Sequence, residues 1–123
     1  MARILISESH DDVRRLLERM VTRLGHEPVL VRAPTPAQLR SADILVVEPA
    51  APAGAALTRA AHAANPTLPI ICASVTAPPL ELEELGVVFA ATVVKPFTAE
   101  QLGATIEQAL SGRSPYHRRD RAA

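Results

Sequence analysis

Asp43-Ile44-Leu45-Val46-Val47-Glu48-Pro49 decides how this chain folds. Four aliphatic residues run unbroken between two carboxylates. A strand with one wet face would alternate, so an unbroken run reads as a strand buried on both faces. The run ends in Glu48, with Pro52 four residues further on. A second strand closes differently. Val93-Val94-Lys95-Pro96-Phe97-Thr98 ends in a lysine and a proline.

Working outward, apolar runs alternate with helical patterns. Ile4-Leu5-Ile6 is a short strand. Val13, Leu16, Leu17, Met20, Val21 and Leu24 recur at helical spacing, which predicts an amphipathic helix over 11–24 stopped by Gly25. Pro28 to Val31 reads as a second strand whose proline marks an edge or a strand start. Thr35-Pro36 reads as an N-cap followed by proline at the first helical position. That helix must be very short, because Asp43 already opens the third strand. An Ala-rich helix over 54–64 ends at Asn65-Pro66. Leu68 to Ala73 is the fourth strand. Pro78-Pro79 opens a brief helix through Leu85. Ala90 to Val94 is the fifth strand. Thr98 caps a last helix with Leu102, Ile106, Ala109 and Leu110 on its buried face.

Five apolar strands alternating with five helices predict an α/β domain over 1–112, with a parallel sheet covered on both faces. Residues 113–123 lack apolar periodicity and read as a basic, disordered tail. Chemistry in such open sheets gathers at the C-terminal strand ends. That rule alone brings together Ser7-Glu8-Ser9, Glu48, Ser74 and Lys95.

Composition excludes several functions. Among 123 residues, 13 basic and 13 acidic side chains cancel. A body that grips nucleic acid by charge alone is not expected, and with 2% aromatics neither is a base-stacking platform. Nucleic acid would be a partner only through a fused output domain. Cys72 is the only cysteine, so no intrachain disulfide can form. No run approaches the roughly 18 apolar residues of a membrane span. Met1-Ala2-Arg3 leads straight into a strand, so no signal peptide is expected. A soluble cytoplasmic protein is. No Cys/His spacing resembles a zinc site, no Gly-rich loop follows the first strand, and no Ser/His/Asp order suggests hydrolysis. His10 reads as a solvated loop histidine near the site. Asp11 and Asp12 suit the first turn of a helix. Arg14, Arg15, Arg19 and Arg23 read as a solvated face.

Taken in order, these motifs resemble the receiver domain of two-component response regulators. The resemblance implies a flavodoxin-like sheet in the order 2-1-3-4-5. It also implies roles for the cluster. Two adjacent acids after the first strand hold magnesium in that family; the matching residues are Glu8 and Ser9, so one acid is lost. The phosphoacceptor aspartate is matched by Glu48. The hydroxyl that contacts the phosphoryl group is matched by Ser74, the switch aromatic by Thr92, and the Lys-Pro pair by Lys95 and Pro96. That Lys-Pro bond is usually cis in the family.

These departures oppose phosphorylation. Glu for Asp moves the carboxylate out by roughly one C–C bond, about 1.5 Å. A misplacement of about 1 Å can lower a rate on the order of 100-fold. Ser9 removes a charge from a metal site built on carboxylates. No resident metal or cofactor is therefore expected, and magnesium binds weakly at most. Glu48 has two open roles. It could mimic the phosphoryl group by binding Lys95 and Ser74, or it could simply tether the loops through Lys95. Thr92 has no ring to move, which favours a single constitutive state.

The expectation is a non-enzymatic signalling module. It would work through protein contacts, with a histidine kinase or a downstream regulator as partner. A weakly phosphorylatable receiver with residual magnesium binding, and a small flavodoxin-like cofactor binder or enzyme, are the alternatives. The face of the fourth helix, fifth strand and fifth helix carries Glu81, Glu83, Glu84, Glu100 and Glu107. Like charges would oppose a symmetric dimer there, so a monomer, or a dimer through another face, is expected.

Overall fold

The computed structural model describes residues 1–51, 53–75 and 87–112. Its strands are β1 (Arg3–Ser7), β2 (Glu27–Leu30), β3 (Ile44–Val47), β4 (Ile70–Ser74) and β5 (Ala91–Val94). Its helices are α1 (Asp11–Arg23), α2 (Pro36–Ser41), α3 (Gly54–Ala64) and α4 (Ala99–Ser111). All four strand pairings are parallel, in the order β2-β1-β3-β4-β5. The helix expected over 78–85, its glutamates, Pro52 and the tail from 113 lie outside the described residues. Among the described residues there are four helices, and α4 is the expected last one.

The central strands are apolar because both of their faces are covered. Every residue of β3 and β4 is buried. On one face, Ile4, Ile6, Ile44, Val46 and Ile71 pack against Leu17 and Val21 of α1 and Leu102 and Ile106 of α4. On the other, Leu5, Leu45, Val47 and Ile70 pack against Leu39 of α2 and Leu57 and Ala61 of α3. The first and last helices thus share a face.

Local chemistry explains the helix ends. Thr35 and Gln38 form a reciprocal capping box at α2, and Thr98 and Gln101 form another at α4. Gly25 takes φ +87° just after α1, a conformation that costs glycine little. The six residues of α2 make under two turns.

The differences are modest. β2 runs from Glu27 to Leu30, one residue earlier than expected. β3 starts at Ile44, one residue later than expected, and the Asp43 carboxylate just before it accepts the Arg3 N–H at 2.7 Å. β4 begins at Ile70, because Leu68 closes a turn on Asn65. Leu16 and Leu110 are exposed rather than buried. In α4 Thr105 is buried beside Leu102, Ile106 and Ala109, and its hydroxyl donates to the Gln101 carbonyl at 2.8 Å. This back-bond lets a polar residue sit in the core.

Candidate functional site at the strand tips

The parallel register delivers the site. Ser7 pairs with Val47 across β1 and β3, so the residues that follow, Glu8 and Glu48, leave the sheet side by side. Ser74 pairs with Val94 across β4 and β5, and the Lys95 N–H donates to the Ser74 carbonyl at 2.7 Å. The Lys95–Pro96 peptide bond is cis. Three strand tips therefore converge on one lysine.

The Lys95 ammonium donates to two carboxylates. One bond goes to Glu8 Oε1 and the other to Glu48 Oε2, at 2.9 Å for the latter. The three side chains are 11% (Lys95), 2% (Glu8) and 13% (Glu48) exposed, so the cluster is largely shielded from water. Glu8 is clamped again from its other oxygen. The His10 backbone N–H donates to Oε2 at 3.2 Å, and His10 Nδ1 lies 3.3 Å from the same atom.

The protonation energetics follow. Burial pushes the Glu8 carboxyl up, but the Lys95 hydrogen bond, the His10 N–H and the Lys95 charge together hold it below its ordinary value. Burial pushes Lys95 down, but its bonds to Glu8 and Glu48 and their charges raise it above its ordinary value. Both groups stay ionised at neutral pH. Beneath them Cys72 is fully buried, and burial is the largest influence raising its thiol.

The loop carrying Glu48 is pinned from outside the cluster. A Cβ on Gly54 would lie 1.9 Å from the Glu48 carbonyl oxygen. Only glycine permits α3 to start this close to the β3 tip. No motif announced that role.

The donor set does not suit a resident magnesium ion. Magnesium asks for near-octahedral oxygen ligands, usually from carboxylates and waters. Both Glu8 oxygens and one Glu48 oxygen are already engaged. Among the described residues, no three His, Cys, Asp or Glu side chains gather as a metal site.

The remaining sequence candidates fall as follows. Ser74 is buried at the β4 tip, and a hydrogen bond from it lowers the Cys72 thiol against that burial. Thr92 is exposed on edge strand β5, while its neighbours Ala91 and Val93 turn into the core. Ser9 is exposed and lines a hollow of about 290 Å³ beside Glu48. A second hollow of about 470 Å³, walled by Leu16, Val75 and Phe97, opens on the other side of Glu48. Asp11 and Asp12 do open α1, and each pairs with an arginine, Arg14 and Arg15. Arg14 is not part of a purely solvated face; it is half-buried and lines the smaller hollow. Sequence reasoning missed Arg32, which lines the same hollow. It directly follows β2, so the strand-tip rule could have found it.

A parallel sheet in the order 2-1-3-4-5 with helices on both faces is the fold of the receiver domains among solved structures. Comparison with protein families and with curated proteins finds no match. Solved structures do match. The chain is similar to a response regulator receiver domain protein from Clostridium thermocellum, at 17% identity and TM-score 0.71, covering 90% of this chain and 95% of that one. It is also similar to the receiver domain of the sensor histidine kinase PA1611 from Pseudomonas aeruginosa, at 22% identity and TM-score 0.73, covering 89% and 98%. That structure has a magnesium ion coordinated in its active-site cleft. NtrX from Brucella abortus matches at 21% identity and TM-score 0.74 over 89% of this chain, but over only 27% of its own length. No helix among the described residues is long and apolar enough to cross a membrane.

Proposed function

We propose that this chain is an atypical receiver module in two-component signalling that acts by protein–protein contact and accepts no phosphoryl group. The observation that carries this reading is the Lys95 ammonium held between Glu8 and Glu48. The resemblance matches Lys95 to the lysine of the family's Lys-Pro pair. Here a glutamate reaches it without any kinase. Phosphoryl transfer needs the acceptor in line and a metal to neutralise the transferred oxygens. A carboxylate already bonded to the lysine, beside a serine in place of the second metal-binding acid, meets neither need. Magnesium then binds weakly at most, through whichever carboxylate oxygens remain. The partner is a histidine kinase or a downstream regulator. The match to one part of the longer NtrX chain fits a module that also occurs joined to other domains.

Fluoroberyllate, a phosphoryl mimic, tests this with magnesium and 15N-labelled protein. The amides of Glu48, Ser74 and Lys95 are expected to stay in place. Installing Ser9→Asp with Glu48→Asp is expected to make them move. Saturable shifts in the wild type would instead support a weakly phosphorylatable receiver with residual magnesium binding.

A further inference from the structure

The two helices that share one face of the sheet carry opposite charge. α1 offers Arg19 and Arg23, both exposed and in no ion pair among the described residues. Its other arginines, Arg14 and Arg15, are neutralised within the helix by Asp11 and Asp12. α4 offers Glu100 and Glu107, exposed and likewise in no ion pair, and α4 contains no basic residue. The helices meet where Gly103 approaches Leu24; a Cβ on that glycine would lie 3.1 Å from Leu24 Cδ2. Helical spacing then places the charges. Glu100, Glu107 and Leu110 stand three, four and seven residues from Gly103, so they lie on the flank of α4 toward α1. Leu16 and Met20 stand eight and four residues before Leu24, so they line the facing flank of α1, with Arg19 and Arg23 beside them. Glu18 falls on the far flank. Leu16 is 49% exposed and Leu110 42%, so the groove between the helices also shows apolar surface.

We infer that this face docks a second copy of the chain. A two-fold axis along the groove lays α1 of each copy on α4 of the other. Arg19 and Arg23 then meet the partner's Glu100 and the partner's Glu107, and the contact occurs twice. A two-fold interface must be self-complementary, and a face basic on one side of its axis and acidic on the other meets that condition. An axis across the helices would instead set arginine against arginine. The exposed leucines supply the apolar part of the contact. Helices about 20 Å long give a contact at the small end of specific interfaces, so the dimer is weak. None of these residues belongs to the lysine cluster, so the inference goes beyond the function proposed above and does not rest on how Lys95 is held.

Sedimentation velocity on the full chain tests this. At about 0.05 M salt a monomer–dimer equilibrium is expected, with a dissociation constant on the order of 100 µM. Raising the salt to about 0.5 M should weaken it several-fold, because exposed charges are screened. Arg19→Glu with Arg23→Glu should be monomeric, and so should Glu100→Arg with Glu107→Arg, because each sets like charges across the axis. An equimolar mixture of the two variants should dimerise again, since each α1 then meets an α4 of opposite charge. Arg59→Glu, an exposed position on α3, should leave the equilibrium unchanged. Urea unfolding checks that each variant is folded. Arg19→Ala with Arg23→Ala keeps good helix formers and should weaken the dimer about tenfold, which serves where a reversal unfolds the chain. A chain that stays monomeric up to about 1 mM, tenfold above the expected constant, would overturn the inference. So would a dimer that both reversals leave intact, or a mixture of folded variants that stays monomeric.

Discussion

Two clusters of charge sit side by side at the tips of the strands, and they are built oppositely. In the first, Lys95, Glu8 and Glu48 are almost dry and bonded to one another. In the second, Arg14 and Arg32 border an open hollow, and the ion pairs of α1 nearby are wet; Asp12 is 97% exposed. The difference teaches where charge fixes structure. A desolvated ion that loses its partner is costly, so the first cluster holds three loops in one arrangement. An exposed pair is screened and contributes little, so the second cluster fixes little structure.

The largest contrast is expected from Lys95→Met. It leaves two glutamates facing each other with no cation, and should destabilise by about 4 kcal/mol in urea unfolding. In that variant only the His10 bonds still oppose burial, so the Glu8 carboxyl should titrate higher than in the wild type. A side-chain NMR titration reads this directly.

Gly54→Ala comes next, at about 3 kcal/mol. The added methyl must push the Glu48 carbonyl aside. A crystal structure of the variant should show Glu48 drawn off Lys95.

Glu8→Gln should cost about 2 kcal/mol at neutral pH. Its pH dependence has a definite sign. Glu8 is held low, so its contribution is complete above its ordinary value of 4.5 and is lost as pH falls through the lowered value. Lys95 is held high, so its contribution is complete below its ordinary value of 10.5 and is lost as pH rises through the raised value. The gap between wild type and Glu8→Gln in urea midpoint should be level from 4.5 to 10.5 and close on either side. A gap that peaks inside that window would contradict the shared-lysine arrangement.

The smallest effect belongs to the wet pairs. Arg15→Ala breaks the 3.0 Å pair with Asp12 and should leave the urea midpoint where it was. A clear loss there would erase the contrast between the clusters.

Much of this was legible in the sequence because periodicity reports burial. The unbroken Ile44–Val47 run gave the central strand, Thr35-Pro36 gave the short α2, and strand-end chemistry gathered Glu8, Glu48, Ser74 and Lys95. What escaped depends on neighbours that periodicity does not encode. Glu8 read as a metal acid, yet it shares Lys95 with Glu48, because the chain order does not show which of two carboxylates a lysine meets. Thr105 enters the core through its own backbone bond, while Leu110 drops off the end of the packed face. Gly54 looked like part of an Ala-rich helix, although the crowding that requires it comes from a carbonyl six residues earlier.

Incubation with acetyl phosphate and magnesium, followed by intact mass measurement, tests the central claim most directly. A lysine already held by Glu8 and Glu48 predicts no added phosphoryl mass on the wild type and a detectable adduct on the Ser9→Asp, Glu48→Asp double variant. An adduct on the wild type that disappears in Glu48→Gln would show that Glu48 accepts the phosphoryl group, and would contradict the account.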